Sequence, residues 1–261
     1  MITFGNNSPI QLNFLSFKAN SKNNNTTGNK IPADILAYYD SLFLTDSFIK
    51  EIEYDAQMDL WPKDPIFIKC HDAVETKFPH ELYKHTQGVI DTAIELANKF
   101  NLDPDKAALA ALLHDYSKHL PESQIIKLAK KNKIPQAASG EPGDKTLHGP
   151  VSAFLAKKEF GINDQDVLDA LSYHTYGKPG MCNLAKLLLI ADKIEPVRRD
   201  PFLREEALKI KDLNTCFAYC YRDMLGNPFE YYRKLNPELV MVWNDAVSNL
   251  PRSKPKKIKN I

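Results

Sequence analysis

Apolar residues recur at helical spacing along most of this chain, and no segment alternates apolar and polar positions for long. Between residues 79 and 196, successive stretches carry apolar side chains at i, i+3, i+4 and i+7. Residues typical of helix ends lie between these stretches: Asp103-Pro104 and Asn163-Asp164 at starts, Gly161 and Pro196 at stops. Further helices are predicted for residues 203–225 and 237–250. The pattern predicts an all-α fold with almost no sheet.

The chain is expected to divide into three parts. Residues 1–62 form an N-terminal extension, in which 1–30 are polar, rich in Asn and expected to be disordered, while 32–60 have helical periodicity. The run Trp61-Pro-Lys-Asp-Pro65 breaks that pattern. Residues 63–250 are the main helical domain, and 251–261 are a basic tail.

Composition narrows the classes of protein that fit. The 261 residues have a formal net charge of +1 and no apolar run long enough for a membrane span. The N-terminus lacks the features of a secretory signal, so we expect a cytoplasmic protein whose four cysteines are reduced. The basic tail allows a weak nucleic-acid contact, but a frayed, solvated end is favoured.

The dipeptide His114-Asp115 closes an apolar run that covers residues 107–113. A buried imidazole and carboxylate cost several kcal/mol unless they have partners. Neutral imidazole together with carboxylate is a common set of ligands for a divalent metal. The pair therefore indicates a metal site, provided that the chain supplies further ligands.

Four more polar residues continue the apolar faces of neighbouring helices or precede them: His85, His148, His174 and Asp192. Any single core histidine is more often hydrogen-bonded than bound to metal. Six inward-facing groups together would need an unusual satisfied network, whereas four nitrogens and two carboxylates suit one or two divalent ions, with Asp115 able to bridge two. A second dipeptide, His71-Asp72, lacks the preceding apolar helix and is interpreted as a surface coincidence.

Five stretches make the pattern more specific: Tyr83–Val89, Ala111–Lys118, His148-Gly149, Tyr173–Gly177 and Ala191–Arg198. In this order they resemble the HD-domain metal-dependent phosphohydrolases, and more narrowly the YqeK-type symmetrical bis(5′-nucleosyl)-tetraphosphatases. The resemblance extends over roughly residues 66 to 250. It implies an HD-domain helical bundle.

The resemblance also implies roles for individual residues. The expected metal ligands are His85, His114, Asp115 and Asp192, with iron as the usual ion, manganese or cobalt as substitutes, and one or two ions bound. The expected catalytic residues are His148, His174 and Lys118. The residues expected to contact substrate are His85, Lys118, His148, His174, Thr175, Asp192, Arg198 and Asn244, the last in a segment that departs from the usual family form.

The implied reaction is symmetrical hydrolysis of diadenosine tetraphosphate to two ADP, by attack of metal-bound hydroxide on a central phosphate. His148 or His174 is expected to serve as general acid. Two alternatives stay open: an HD hydrolase with another nucleotide substrate, and a nucleotide-binding regulator without turnover. The sequence also leaves open whether the chain forms a homodimer.

The segment from Ile31 to Leu44 is similar to the last helix of bacterial nicotinate-nucleotide adenylyltransferases. Some small-genome bacteria fuse that enzyme to a YqeK-like domain, so this segment can be the remnant of such a fusion. The phosphate-binding motif of the adenylyltransferase is absent here, and we expect no such activity. An unrelated helical extension is an equally good interpretation.

Overall fold

The computed structural model describes residues 60–134, 146–197, 201–230, 237–248 and 250. The chain divides into two units, Met1–Trp61 and Pro62–Ile261, and only the second contains described helices. Every regular element in these described ranges is helical, which confirms the predicted all-α class. The helices are α1 (Pro65–Lys77), α2 (His80–Phe100), α3 (Pro104–Leu113), a 3-10 helix (Tyr116–His119), α4 (Glu122–Lys131), α5 (His148–Phe160), α6 (Gln165–Tyr173), α7 (Asn183–Ile194), α8 (Pro201–Lys209), α9 (Leu213–Glu230) and α10 (Pro237–Ser248).

Side-chain caps start several helices where the sequence predicts them. Asp103 accepts hydrogen bonds from the backbone amides of Asp105 and Lys106 at the start of α3, and Asp164 caps α6 in the same way. Gly161 follows α5 with a φ of 75°, a left-handed conformation that glycine adopts without a steric cost. These local signals therefore position the ends of the helices correctly.

The core is built around two short helices, α3 and α7. Helix α2 packs on both of them, and α6 packs on both from another direction. From Ala107 to Leu113 every residue of α3 except Leu109 is buried, because this part of the helix is surrounded by α1, α2, α5, α6 and α7. The C-terminal end of α3, where His114-Asp115 follows, therefore opens into the middle of the bundle.

The structure corrects some predicted boundaries. Residues 203–225 form parts of two helices, α8 and α9, because the Asp212 carboxylate accepts a hydrogen bond from the Thr215 amide and starts α9 anew. The ammonium of Lys99 donates to the carbonyls of Ala207 and Leu208 near the end of α8. His148, predicted to precede its helix, is the first residue of α5.

Several predictions lie outside the described residues. These are the disordered segment 1–30, the helical segment 32–60 except residue 60, the adenylyltransferase-like stretch and the basic tail. In the part of the chain that the structure does describe, none of the helices combines the length and the apolar character that crossing a bilayer requires.

Candidate metal centre

Four of the six predicted donor residues lie at helix ends, and Asp115, directly after His114, is one of them. His114 follows the last residue of α3, His174 follows the last residue of α6, and His148 is the first residue of α5. His85 and Asp192 lie within α2 and α7. The packing of α2, α3, α5, α6 and α7 brings these side chains, together with Asp115, to one place.

One group of donor atoms comes from His85, His114 and Asp192. The Nε2 atom of His85 lies 3.3 Å from Nε2 of His114 and 3.1 Å from Oδ1 of Asp192. The distance from His114 Nε2 to the same Asp192 oxygen is 3.8 Å. All three atoms are close enough to one another to bind a single ion.

A second group adjoins the first around the carboxylate of Asp115. Its Oδ1 atom lies 3.2 Å from His148 Nε2 and 3.5 Å from His174 Nε2, and these two nitrogens are 2.9 Å apart. Its Oδ2 atom lies 3.2 Å from His114 Nε2. The hydroxyl of Thr175 is 3.4 Å from the Nε2 atoms of both His148 and His174. Asp115 thus lies between the two groups.

The outer nitrogens of two imidazoles fix how the rings are protonated. Nδ1 of His114 lies 2.7 Å from the carbonyl of Ala111, and Nδ1 of His174 lies 2.9 Å from the carbonyl of Leu171. Because a carbonyl only accepts, both Nδ1 atoms must carry the proton, and in neutral rings the Nε2 lone pairs then face the cluster. Metal-binding histidines hold their second nitrogen in this way.

Asp115 is the most deeply buried charged residue of the cluster, with 1% of its surface exposed. Burial alone would raise the pKa of its carboxyl, but the surrounding imidazoles, His114 first, hold that pKa well below its usual value. Asp115 therefore stays ionised. Burial lowers the pKa of His148, against the opposing effect of the Asp115 carboxylate, so His148 is neutral near pH 7.

The residues fit a divalent cation. Oδ1 of Asp115 is buried and has no hydrogen-bond partner among the described residues. Such an oxygen is costly unless it is satisfied, and here it lies 3.5 Å from Nε2 of His174, which also presents a lone pair. A cation among these atoms would remove both problems, and imidazole with carboxylate is the donor set of zinc, iron and manganese sites.

Lys118 contributes a positive charge at the edge of the cluster. Its ammonium lies 2.6 Å from Oδ2 of Asp115, and about two fifths of its side chain is exposed (40%). The short turn from Asp115 to Lys118 is held by two hydrogen bonds to α5. The Ser117 amide donates to the Ser152 hydroxyl, and the Ser117 hydroxyl donates to the His148 carbonyl. A cationic group therefore lies at the border between the buried carboxylate and solvent.

Two predicted substrate residues are not part of this arrangement as described. Arg198 lies outside the described residues. Asn244 is exposed on α10, and its backbone carbonyl accepts a hydrogen bond from the Ser248 hydroxyl. Their predicted roles stay predictions.

The second dipeptide has a different environment from the one predicted. His71 is buried, not on the surface, and its Nε2 atom lies 2.8 Å from the hydroxyl of Tyr83. Its ring also stacks on Phe67. Neither His71 nor Asp72 belongs to a group of potential metal donors among the described residues.

Sequence reasoning gave no role to Glu195, although the residue lies inside one of the quoted stretches. Its buried carboxylate lies 3.0 Å from Nδ1 of His85, the nitrogen that points away from the cluster. A usable signal was present, since Glu195 comes three residues after Asp192, about one turn of helix.

Comparison with known proteins gives a consistent set of similarities. The HD domain family matches residues 82–197. The symmetrical bis(5′-nucleosyl)-tetraphosphatase of Bacillus subtilis is 36% identical over 176 residues, which are 67% of this chain and 94% of that protein.

Two further similarities extend this picture. A crystal structure from Clostridium acetobutylicum, described as an HD superfamily hydrolase involved in NAD metabolism, is 33% identical, covers 70% of this chain and 98% of its own, and has a TM-score of 0.62. A Mycoplasma pneumoniae protein named as a probable nicotinate-nucleotide adenylyltransferase/Ap4A hydrolase is 31% identical over 52% of this chain and 37% of its own length. In that protein, the name of an adenylyltransferase and the name of an Ap4A hydrolase occur together.

Proposed function

This chain belongs to the family of symmetrical bis(5′-nucleosyl)-tetraphosphatases with an HD domain, and on that premise we propose that it hydrolyses diadenosine tetraphosphate with water to two molecules of ADP. The observation that carries the proposal is the Asp115 carboxylate, whose buried oxygen lies among imidazole nitrogens with no hydrogen-bond partner among the described residues. A relative named for this activity aligns with nearly the whole of its own length.

We assign the metal to the donor atoms of His85, His114, Asp115 and Asp192, with His148 and His174 available for a second ion. Iron is the proposed ion, and manganese or cobalt are proposed substitutes, because mixed imidazole and carboxylate donors suit all three. When bound, such an ion lowers the pKa of coordinated water and withdraws charge from phosphoryl oxygens.

The other residues have roles that follow from their positions. The ammonium of Lys118 neutralises charge on a tetraphosphate near Asp115, and the Thr175 hydroxyl, between two imidazoles, donates a hydrogen bond to a phosphate oxygen. Arg198 and Asn244 are assigned to the polyphosphate and to the nucleoside by family resemblance.

The lowered pKa of His148 refines the expected acid-base roles. A ring that is neutral near pH 7 suits metal or substrate binding better than proton donation. The leaving group is a terminal phosphate of ADP, and phosphates with a second pKa near 6 leave near neutral pH with little help from an acid. We therefore assign His148 to binding. His174 would donate a proton only from a doubly protonated ring, because its Nδ1 proton is held by the Leu171 carbonyl.

The decisive experiment combines metal analysis of anaerobically purified protein with chromatography of the products from diadenosine tetraphosphate. The expected result is bound metal and ADP alone. Products that include AMP and ATP would contradict symmetrical cleavage, and faster hydrolysis of a mononucleotide would favour the alternative substrate class. Tight binding without products would favour a regulator. Protein without metal and without ADP formation would contradict the proposal as a whole.

The cellular setting is also a proposal. All four cysteines are free thiols, three of them buried, which is typical of proteins from reducing compartments. We propose a cytoplasmic location on that basis.

A further inference from the structure

The carboxylate of Glu195 makes two different contacts with its two oxygens. Oε1 lies 3.0 Å from Nδ1 of His85, and Oε2 accepts a hydrogen bond of 2.6 Å from the backbone amide of Val197. The residue is 2% exposed, so both contacts are shielded from water. A carboxylate buried in this way needs both acceptor sites filled.

The contact with His85 determines which nitrogen of that ring faces the cluster. A carboxylate only accepts, so Nδ1 of His85 carries the proton and Nε2 keeps its lone pair. That Nε2 atom lies 3.1 Å from Asp192 Oδ1 and 3.3 Å from His114 Nε2. Glu195 thus does for His85 what the Ala111 and Leu171 carbonyls do for His114 and His174.

The backbone at Glu195 explains how the side chain reaches this position. Residue 195 follows the last residue of α7 and has extended backbone angles (φ −59°, ψ 151°), which a following proline favours. Pro196 thus ends α7 directly after the turn that carries Asp192. One short segment therefore supplies both a donor to the cluster and a partner for the ring of another donor.

Gly88 makes room for this carboxylate. It lies on α2, three residues after His85, so the two share a helix face. A Cβ atom at position 88 would lie 2.6 Å from Glu195 Oε2, closer than real Cβ atoms approach a neighbour, so the carboxylate would have to move. Glycine is unfavourable inside a helix, so its presence here is explained by the space that Glu195 occupies.

We propose that Glu195, seated against Gly88, is a positioning residue that holds His85 in the protonation state and orientation required of a metal ligand. The inference rests on the proposed metal site. Glu195 acts through His85. Hydrogen-bond partners of metal-binding histidines typically contribute ten- to hundredfold to metal affinity.

Glutamine at position 195 is a sharp test because it keeps the shape and removes one acceptor. Its amide has one oxygen and one NH2 group, whereas the site requires acceptance from both the Val197 amide and the His85 ring. If the amide oxygen accepts from Val197, the NH2 group faces His85, and the ring must then accept at Nδ1 and present a protonated Nε2 to the cluster. If the oxygen stays with His85, the NH2 group faces the Val197 amide, which is also a donor.

The test uses the full chain, stripped of metal with a chelator and then titrated with Co2+ against a competing indicator. We expect Glu195→Gln to weaken Co2+ binding by about ten- to hundredfold and to change the visible absorption spectrum of the bound ion. The matched control is Glu159→Gln, because Glu159 also contacts two polar groups, Tyr116 and Lys77, neither of which is a donor to the cluster. Its Co2+ affinity and spectrum should match those of the unchanged chain.

Gly88→Ala gives an independent test that leaves Glu195 in place. Alanine favours the helix, so the expected ten- to hundredfold loss of Co2+ affinity would come from displacement of the carboxylate. In a chain that already carries Glu195→Ala, the methyl group added by Gly88→Ala has space. Gly88→Ala should then weaken Co2+ binding by less than about twofold, because the effects of two contacting residues are coupled.

The outcomes separate this inference from the proposed function. If the unchanged chain binds no Co2+, both are overturned. If it binds Co2+ but either Glu195→Gln or Gly88→Ala binds with unchanged affinity and spectrum, the positioning role alone is overturned. If Glu195→Gln lowered the unfolding temperature but left Co2+ binding unchanged, Glu195 would act only as a helix cap. That result would also overturn the positioning role.

Discussion

The chain contains two His-Asp dipeptides, and the structure shows them in opposite situations. His71 and Asp72 lie in the middle of α1, where successive side chains point about 100° apart. The imidazole of His71 is buried against Tyr83, while Asp72 is exposed. The two side chains of this dipeptide are thus directed into different environments.

His114 and Asp115 lie at the end of α3. His114 still has helical backbone angles, but Asp115 has φ −104° and ψ 14° and no longer continues the helix. Its carboxylate oxygen lies 3.2 Å from the imidazole of the preceding residue, and both side chains are buried. A position at a helix end, rather than the pair of residue types, makes this dipeptide a potential metal site.

Substitution of the two aspartates should give the largest contrast. Asp115→Ala removes a central donor, so we expect more than about a hundredfold loss of metal affinity, above the range for groups that only support a ligand, and turnover at background level. Asp72→Ala should change neither, because Asp72 is an exposed residue. Metal analysis and product chromatography measure both variants. Retained turnover in Asp115→Ala would contradict the proposed mechanism.

His71 tests whether burial alone gives a histidine a role in metal binding. His71→Ala should destabilise the fold by about 2 kcal/mol, through the lost hydrogen bond and the space left behind, while metal affinity stays unchanged. His71→Phe fills the space and should recover about half of the loss, since only the hydrogen bond is missing. Urea unfolding and metal titration provide the two readouts. A loss of metal affinity in either variant would make the two dipeptides functionally connected.

The pH dependence of stability should distinguish the site histidines in the metal-free protein. Because the pKa of His148 is lower in the folded state than its usual value of 6.5, the unfolded chain takes up this proton first as the pH falls. His148 therefore supports stability fully above pH 6.5, and this contribution declines below it, by at most about 1.4 kcal/mol per pH unit. Urea unfolding between pH 7.5 and 5.5 measures the effect. His148→Gln should have the shallower slope, and equal slopes would contradict a buried neutral ring.

Tyr116 directly follows Asp115 but is expected to lie outside the metal site. Its hydroxyl donates to Glu159 at 2.9 Å and also contacts the ammonium of Lys77, so this network is satisfied by the protein itself. Tyr116→Phe should cost about 1 kcal/mol of stability and leave metal content as it is. Thermal unfolding and metal analysis are sufficient. Loss of metal would place the boundary of the site beyond Asp115.

The residues that the structure brings together at the candidate site could be singled out from the sequence because each of them carries a local signal. Polar residues that continue an apolar helix face, such as His174, or that close an apolar run, such as Asp115, are visible without a structure. Helix caps at Asp103 and Asp164 were visible for the same reason. The family resemblance then ordered these residues into one site.

The features that the sequence did not reveal depend mainly on contacts between residues that are far apart along the chain. Glu195 and His85 are 110 positions apart, and only the packing of α7 on α2 brings them together. The burial of His71 likewise depends on Tyr83, a residue of the next helix. The break between α8 and α9 was missed because apolar periodicity continues across it, although Asp212 was present as a possible cap.

The unpartnered oxygen of Asp115 has a consequence for the folded state as a whole. A cation that binds only where these donors converge stabilises the native chain by mass action, by about 4 kcal/mol when free metal exceeds the dissociation constant a thousandfold. For a domain of this size, each kcal/mol corresponds to roughly 2–4 °C in the melting temperature. With such a cation bound, the melting temperature of this protein would therefore rise with the free metal concentration.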